Sequence, residues 1–106
     1  MKDLVMRLSA LSGVSSWEDE MRDFLKAEAA PYAQEIRTDA LGNLIVLKKG
    51  TKAAGNKLLL CAHMDEVGLM VRHITDDGYL KFSTVGSIDR RVLLGKPVLV
   101  LSLIHI

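Results

Sequence analysis

Two residues, His63 and Asp65, have the types and the spacing that a metal-dependent hydrolase uses. A neutral imidazole that binds a metal through one nitrogen usually donates its other N–H to a carboxylate, which fixes the tautomer and the orientation of the ring. Side chains two residues apart point to the same side of an extended backbone. The pair can therefore supply a metal ligand with its orienting carboxylate. His and Asp two residues apart also occur often by chance, and this pattern alone favours a strand-end histidine bonded to a turn aspartate.

The residues before His63 predict the element that positions it. Residues 58–62 (LLLCA) form an apolar run without a polar interruption. The run is too short for an ordinary helix and fits a strand buried on both faces, as in a parallel sheet under helices. Such sheets bind their ligands beyond the strand ends. Cys61 lies inside this run and is predicted to be a small buried hydrophobe.

Helices precede strands along the chain. Apolar residues at helical spacing predict a first helix that stops at Ser12-Gly13. Ser15 and Glu18 have capping-box spacing for a second helix, which Pro31 ends. The pattern then predicts an edge strand at residues 32–38, a turn at 39–43, a strand at 44–47, and a hairpin of residues 67–73 and 79–84. Together these elements indicate an α/β fold.

Several segments resemble one family in the same order. Residues 62–71 (AHMDEVGLMV) closely resemble the segment that carries the first metal ligand in the glutamyl and deblocking aminopeptidases, some of which are labelled cellulase M-like. Residues 39–45 (DALGNLI), Asp77-Gly78 and residues 86–95 (GSIDRRVLLG) are similar to further family segments. Ser16 departs from the pattern, because the family has a glycine there.

The resemblance implies a division of the chain and a role for each site residue. Residues 1–67 would be the first part of a zinc-aminopeptidase-like α/β catalytic domain, and residues 68–100 the beginning of an inserted, β-rich, PDZ-like dimerisation domain. By residue-by-residue carry-over, His63 would be a ligand to one metal and Asp65 would orient it. The family takes its general base and its other ligands from later segments, so Glu66 is not assigned the role of base.

The implied activity is two-metal hydrolysis of the amino-terminal bond of a peptide, with zinc or cobalt as the metal. The family forms dodecameric homo-oligomers, and we expect the same of the intact parent. Because this chain is short and lacks the later ligands, we expect a truncated fragment that binds metal weakly and is inactive alone. Two alternatives remain open: a noncatalytic β-rich association module, and a related metallohydrolase of sugar or acyl-amino substrates.

The last six residues, 101–106 (LSLIHI), leave the family pattern. They are what the transposase end of a sequencing-library adapter encodes, so we interpret them as an adapter-derived tail and give His105 no function. A natural apolar strand at residues 98–104 is the alternative.

The composition predicts a cytoplasmic protein. Fourteen basic residues nearly balance thirteen acidic ones, so there is no electrostatic case for a nucleic-acid or anionic-membrane partner. We find no signal peptide and no window apolar enough to span a membrane. The single cysteine cannot form an internal disulfide, which suits the same compartment.

Overall fold

The computed structural model describes residues 1–52 and 55–102. It contains two α-helices, α1 (Lys2–Leu8) and α2 (Asp19–Ala29), and two short 3₁₀ turns, Ala30–Tyr32 and Arg90–Val92. Its four strands are β1 (Glu35–Thr38), β2 (Leu44–Leu47), β3 (Gly68–Ile74) and β4 (Leu80–Val85). The mixed helix and strand content confirms the predicted α/β class. The strand at 44–47 and the hairpin at 67–84 match the prediction, whereas the predicted edge strand at 32–38 begins only at Glu35.

Each described strand pairs in antiparallel fashion with its neighbour along the chain. β1 pairs with β2 so that Ile36 lies opposite Val46. β3 pairs with β4, and the register shifts between Val71 and His73. These are two separate two-stranded sheets. The assignment of the second hairpin to a PDZ-like insert remains a prediction.

The turn between β1 and β2 is organised by Asp39. One of its carboxylate oxygens accepts hydrogen bonds from the backbone N–H groups of Leu41 (3.0 Å) and Asn43 (2.9 Å), and the other accepts from the Asn43 side chain at 2.8 Å. Gly42 adopts φ +87°, a conformation that glycine tolerates best. The Asn43 side-chain hydrogen bond is the largest cause of a lowered Asp39 pKa.

Contacts made by two arginines connect the helices with each other and with the first hairpin. The Arg7 guanidinium of α1 lies 4.6 Å above the Phe24 ring of α2 and 2.8 Å from a Glu28 carboxylate oxygen. Arg22 of α2 donates to the Gly42 carbonyl at 3.2 Å. The two helices and the β1–β2 hairpin therefore form one packed unit, although Gly13 is the only buried residue in the described part of the chain.

The predicted buried strand at residues 58–62 is wrong in this structure. The segment has neither helix nor strand conformation, and none of its backbone groups hydrogen-bonds to another described residue. Leu58, Leu59 and Leu60 are 86%, 83% and 85% exposed, and Cys61 is exposed as well. A strand needs a hydrogen-bonded neighbour and a covering layer. Neither described sheet supplies them here.

The predicted cap of α2 is also wrong. The helix begins at Asp19 after Glu18, and the Ser15 hydroxyl is used elsewhere. Glu18 accepts a hydrogen bond from the Ser16 backbone N–H at 2.6 Å, and Ser16 itself adopts φ +73°. At the other end α2 stops at Ala29, just before Pro31, as predicted.

None of the helices described here is long and apolar enough to cross a membrane. Residues 101–102 are exposed. The remainder of the predicted tail, including His105, lies outside the described residues.

Candidate functional site

The segment that contains His63 and Asp65 is joined to the loop between α1 and α2. Val14 and Glu66 form an isolated parallel β-bridge, in which the Ser15 N–H donates to the Glu66 carbonyl at 3.2 Å and the Glu66 N–H donates to the Gly13 carbonyl at 2.7 Å. The Glu66 carboxylate accepts from the Gly13 N–H at 3.2 Å. Both the backbone and the side chain of Glu66 therefore connect its segment to the α1–α2 loop.

Gly68 allows this close approach, whereas a side chain at Gly13 would make only ordinary contacts. A Cβ on Gly68 would lie 2.1 Å from a methyl carbon of Val14, and a Cβ on Gly13 would lie 3.5 Å from the Met64 carbonyl oxygen. The first distance is far below van der Waals contact, so a side chain at position 68 would push the two segments apart. The bridge is thus a tightly fitted contact between distant parts of the chain.

Asp65 is held from two sides. One carboxylate oxygen accepts a hydrogen bond from the Ser15 hydroxyl at 2.6 Å, and the other lies 3.2 Å from the His63 ring nitrogen Nδ1. The Ser15 hydrogen bond is the main cause of a lowered Asp65 pKa, and partial desolvation opposes it. The side chain therefore remains an acceptor at neutral pH, with its orientation fixed by Ser15.

Within the residues that the structure describes, His63 makes hydrogen-bond contacts through Nδ1 alone. Its Nδ1 lies 3.0 Å from the Asp65 backbone carbonyl oxygen as well as 3.2 Å from the carboxylate. Both neighbours are acceptors, so the neutral ring is best satisfied by the tautomer that carries its proton on Nδ1 and keeps the lone pair on Nε2. The side chain is 87% exposed, and Nε2 is accessible to a ligand. The predicted pair is thus brought together in the predicted orientation.

This arrangement fits one metal ligand and falls short of a complete metal site. Within residues 1–52 and 55–102, no three side chains of His, Cys, Asp or Glu converge closely enough to hold a metal ion. His73 lies on β3 opposite Lys81 of the second hairpin. A neutral imidazole with a carboxylate on its second nitrogen is the usual protein arrangement for a metal-binding histidine.

An apolar groove of about 520 Å³ opens beside the pair. One wall comes from the helices and β2, and the other from the segment that carries His63. The lining residues are Leu8, Met21, Leu25, Ala29, Leu44, Val46, Ala62, His63, Met64 and Asp65. His63 and Asp65 therefore lie where an apolar surface meets solvent.

Sequence reasoning missed Ser15 as a member of the site. Its spacing to Glu18 favoured a helix cap, and nothing local links it to Asp65, which is 50 residues away. The bridge between Val14 and Glu66 creates that contact, and a pairing of this kind leaves no periodic signal in the sequence.

A comparison with models of protein families shows which family this chain belongs to. Residues 42–103 match the model of the M42 glutamyl aminopeptidases. The chain belongs to the M42 glutamyl aminopeptidase family. The match includes His63 and Asp65, and it confirms the family predicted from the sequence motifs.

Two solved structures and a curated protein are similar to this chain. The crystal structure of an endoglucanase from Thermotoga maritima is 47% identical, with a TM-score of 0.77, over 85% of this chain and 29% of its own. A TET aminopeptidase from a marine-sediment thaumarchaeon is 36% identical, with a TM-score of 0.80, over 89% of this chain and 26% of its own. The lysyl aminopeptidase of Pyrococcus furiosus is 34% identical over 91% of this chain and 27% of its own.

The chain spans between 26% and 29% of the length of these three relatives. The described residues therefore correspond to less than a third of the full length of these relatives.

Proposed function

We propose that this chain is part of a metal-dependent aminopeptidase in which His63 binds a divalent ion through Nε2. One observation carries the proposal: Asp65, itself held by Ser15, occupies Nδ1 and leaves Nε2 as the accessible lone pair. Membership of the M42 family supplies the reaction class. In this reaction the role of Asp65 is to position the imidazole.

Three residues of the chain have a defined role in this proposal. His63 holds the metal, Asp65 keeps the proton on Nδ1, and Ser15 prevents the carboxylate from rotating away. A pair of bound divalent ions, zinc or cobalt, would supply an activated water and polarise the scissile carbonyl. One imidazole fills a quarter of a typical four-ligand zinc site. We therefore propose that the chain alone binds metal weakly and does not turn over peptides.

Peptides are the proposed substrates, because two of the relatives named above are aminopeptidases. The endoglucanase label on the Thermotoga relative favours a second candidate, a hydrolase of sugar substrates. The family model that matches residues 42–103 describes glutamyl aminopeptidases, and this match favours the peptidase.

The remaining features of the proposed parent protein follow from the family resemblance. They are a cytoplasmic location, assembly into a dodecamer, and a dimerisation insert that begins within residues 68–100. A noncatalytic association module stays the alternative for this chain if His63 has no affinity for metal.

The metal proposal is tested by titrating the purified chain with Zn²⁺ while observing the histidine ring signals by NMR. We expect selective, weak and saturable shifts of the His63 ring nuclei, and His63→Ala should abolish the binding. His73→Ala is the matched control and should bind as the unmodified chain does. Binding that survives His63→Ala would contradict the assignment.

Turnover tests the second part of the proposal. With Zn²⁺ or Co²⁺ present, leucyl and glutamyl reporter peptides should remain intact. Tight stoichiometric zinc together with hydrolysis of either reporter would show that the chain is a complete enzyme.

Reading the source gene beyond the codon for Val100 tests the origin of residues 101–106. We expect the reading frame to continue into the later ligand segments of the family.

A further inference from the structure

Glu66 is hydrogen-bonded to the loop between α1 and α2 through its backbone and through its side chain. The backbone N–H of Glu66 donates to the Gly13 carbonyl at 2.7 Å, and its carbonyl accepts from the Ser15 N–H at 3.2 Å. Its carboxylate oxygen Oε1 accepts from the Gly13 N–H at 3.2 Å. Gly13 therefore bonds through both of its backbone groups to the same residue.

The Glu66 carboxylate satisfies a donor that the backbone bridge leaves unpaired. Gly13 is the only buried residue in the described part of the chain, and Oε1 is the acceptor for its N–H. A buried N–H that loses its acceptor destabilises the protein more than an average hydrogen bond stabilises it. Removal of the carboxylate should therefore shift Gly13 toward solvent and displace the residues that follow it in the loop.

Ser15 would transmit such a displacement to the imidazole, because it follows Gly13 by two residues. The Ser15 hydroxyl donates to one Asp65 oxygen at 2.6 Å. The other Asp65 oxygen lies 3.2 Å from His63 Nδ1. Since the His63 side chain is 87% exposed, it has little packing of its own, and its orientation depends on the contacts at Nδ1.

We propose that Glu66 is a positioning residue for His63. Its carboxylate holds the Gly13 end of the loop, and the loop in turn holds Ser15 against Asp65. Partners that orient a metal-binding histidine usually change the metal affinity when they are removed. The effect of Glu66 on metal affinity rests on the proposed function, whereas its effect on the orientation of the ring does not.

The orientation of the ring is tested without metal. The share of neutral His63 rings that carry the proton on Nδ1 is read from the ring ¹⁵N shifts at mildly alkaline pH. Glu66→Ala should lower this share, because the loop loses its acceptor. Glu66→Gln keeps a side-chain oxygen acceptor and should preserve the share. Equal losses in the alanine and glutamine variants would assign the effect to the lost charge and overturn the proposal.

Zinc affinity tests the same role in the proposed metal site. In an NMR titration of the full chain with Zn²⁺, Glu66→Ala should weaken binding at His63 about threefold, less than the loss of about tenfold that follows removal of a direct partner. Glu66→Gln should bind as the unmodified chain does. Glu35→Ala, which removes an exposed carboxylate from the first hairpin, is the charge control and should leave the affinity unchanged. An unmodified chain without zinc shifts at His63 would overturn the proposed function, and the tautomer ratio would still decide the role of Glu66.

A double-mutant cycle tests the route through Ser15. Glu66→Ala and Ser15→Ala should each lower the Nδ1 share, and the combined variant should resemble Ser15→Ala alone, because Glu66 acts on the ring through that hydroxyl. The Asn43 amide shift reports the β1–β2 turn and should stay the same in every variant, which shows that the packed helices and hairpin are retained. Additive effects of the two substitutions, or a Glu66→Ala variant with the tautomer ratio of the unmodified chain, would overturn the proposal.

Discussion

Ser15 shows how one hydroxyl can act on an imidazole that it does not touch. It donates to the Asp65 oxygen opposite the one that faces His63, so the carboxylate is fixed from both sides. The hydrogen bond also lowers the pKa of Asp65 and favours its charged form. The protonation pattern of His63 therefore depends on a residue 50 positions before Asp65.

Replacing Ser15 with alanine tests this dependence. Asp65 should lose its main constraint, and a larger share of His63 should carry the proton on Nε2 instead of Nδ1. The tautomer ratio can be read from the ¹⁵N shifts of the ring at mildly alkaline pH. Ser9→Ala is a suitable control, because the Ser9 hydroxyl donates to the Val5 carbonyl within the first helical region. An unchanged ratio in Ser15→Ala would show that Asp65 holds the ring without help.

Ser16 is the one described non-glycine residue with a left-handed backbone, at φ +73°. It stands where the resembled family has a glycine. We expect Ser16→Gly to raise the free energy of unfolding by about 0.5–1 kcal/mol, because relief of the left-handed strain exceeds the added entropy of the unfolded chain. Urea titration measures the change. Ser87→Gly, at an exposed position without a positive φ, should lower stability instead, and a loss of stability in both variants would contradict the strain argument.

At the scale of elements, the β1–β2 turn should respond to acid. The pKa of Asp39 is lowered in the folded state, so its stabilising effect is present above the ordinary value of 3.8 and is lost as the pH falls through the lowered value. The Asn43 amide shift should follow this transition, because its N–H donates to the Asp39 carboxylate. Asp39→Asn should remove the transition. A transition that persists in the variant would assign it to another group.

The contact between the α1–α2 loop and β3 should be broken by Gly68→Ala. The new Cβ would meet Val14, so the bridge hydrogen bonds of Ser15 and Glu66 should open. Hydrogen exchange at these two amides should accelerate by about tenfold, the equivalent of one to two hydrogen bonds. Gly55→Ala is the control, since a Cβ there meets nothing within 4 Å. Val14→Ala added to Gly68→Ala should restore much of the protection, and a failure to do so would place the strain elsewhere.

At the scale of the whole molecule, the fold is extended, and no hydrophobic side chain within residues 1–52 and 55–102 is buried. Its Cα radius of gyration is 18.2 Å, compared with about 13 Å for a compact domain of 100 residues. We expect a broad urea transition with an m value below about 1 kcal/mol/M, because little surface is newly exposed on unfolding. Far-ultraviolet circular dichroism at a concentration where the chain is monomeric gives this value. A steep cooperative transition would contradict the open structure.

Local patterns in the sequence predicted three of the four described strands closely, whereas the first helix ends at Leu8 and not at the predicted Ser12-Gly13. The strand at residues 44–47 has the predicted bounds, and the second hairpin was placed within a residue at each end of its strands. Alternating side chains and turn residues are properties of short segments, so they can be read without tertiary information. The orientation of Asp65 toward His63 was predictable for the same reason, because two residues separate them.

Long-range relationships were not predictable in this way. Residues 58–62 have the composition of a buried strand, yet burial depends on neighbours, and the described chain does not provide them. The role of Ser15 depends on the Val14–Glu66 bridge, whose partners lie far apart in the sequence. The composition of a segment indicates which kind of surface it can pack against. Whether it packs there depends on the rest of the chain.

The bridge between the α1–α2 loop and Glu66 has a consequence for the order in which the protein takes shape. Closing a loop of about fifty residues costs entropy, so the helices and the first hairpin should form sooner than this contact does. Every residue that orients His63 nevertheless lies at or before Glu66. The chain leaves the ribosome amino terminus first. The His63 ring can therefore be oriented, with its proton on Nδ1, as soon as Glu66 has emerged and while the rest of the polypeptide is still being made.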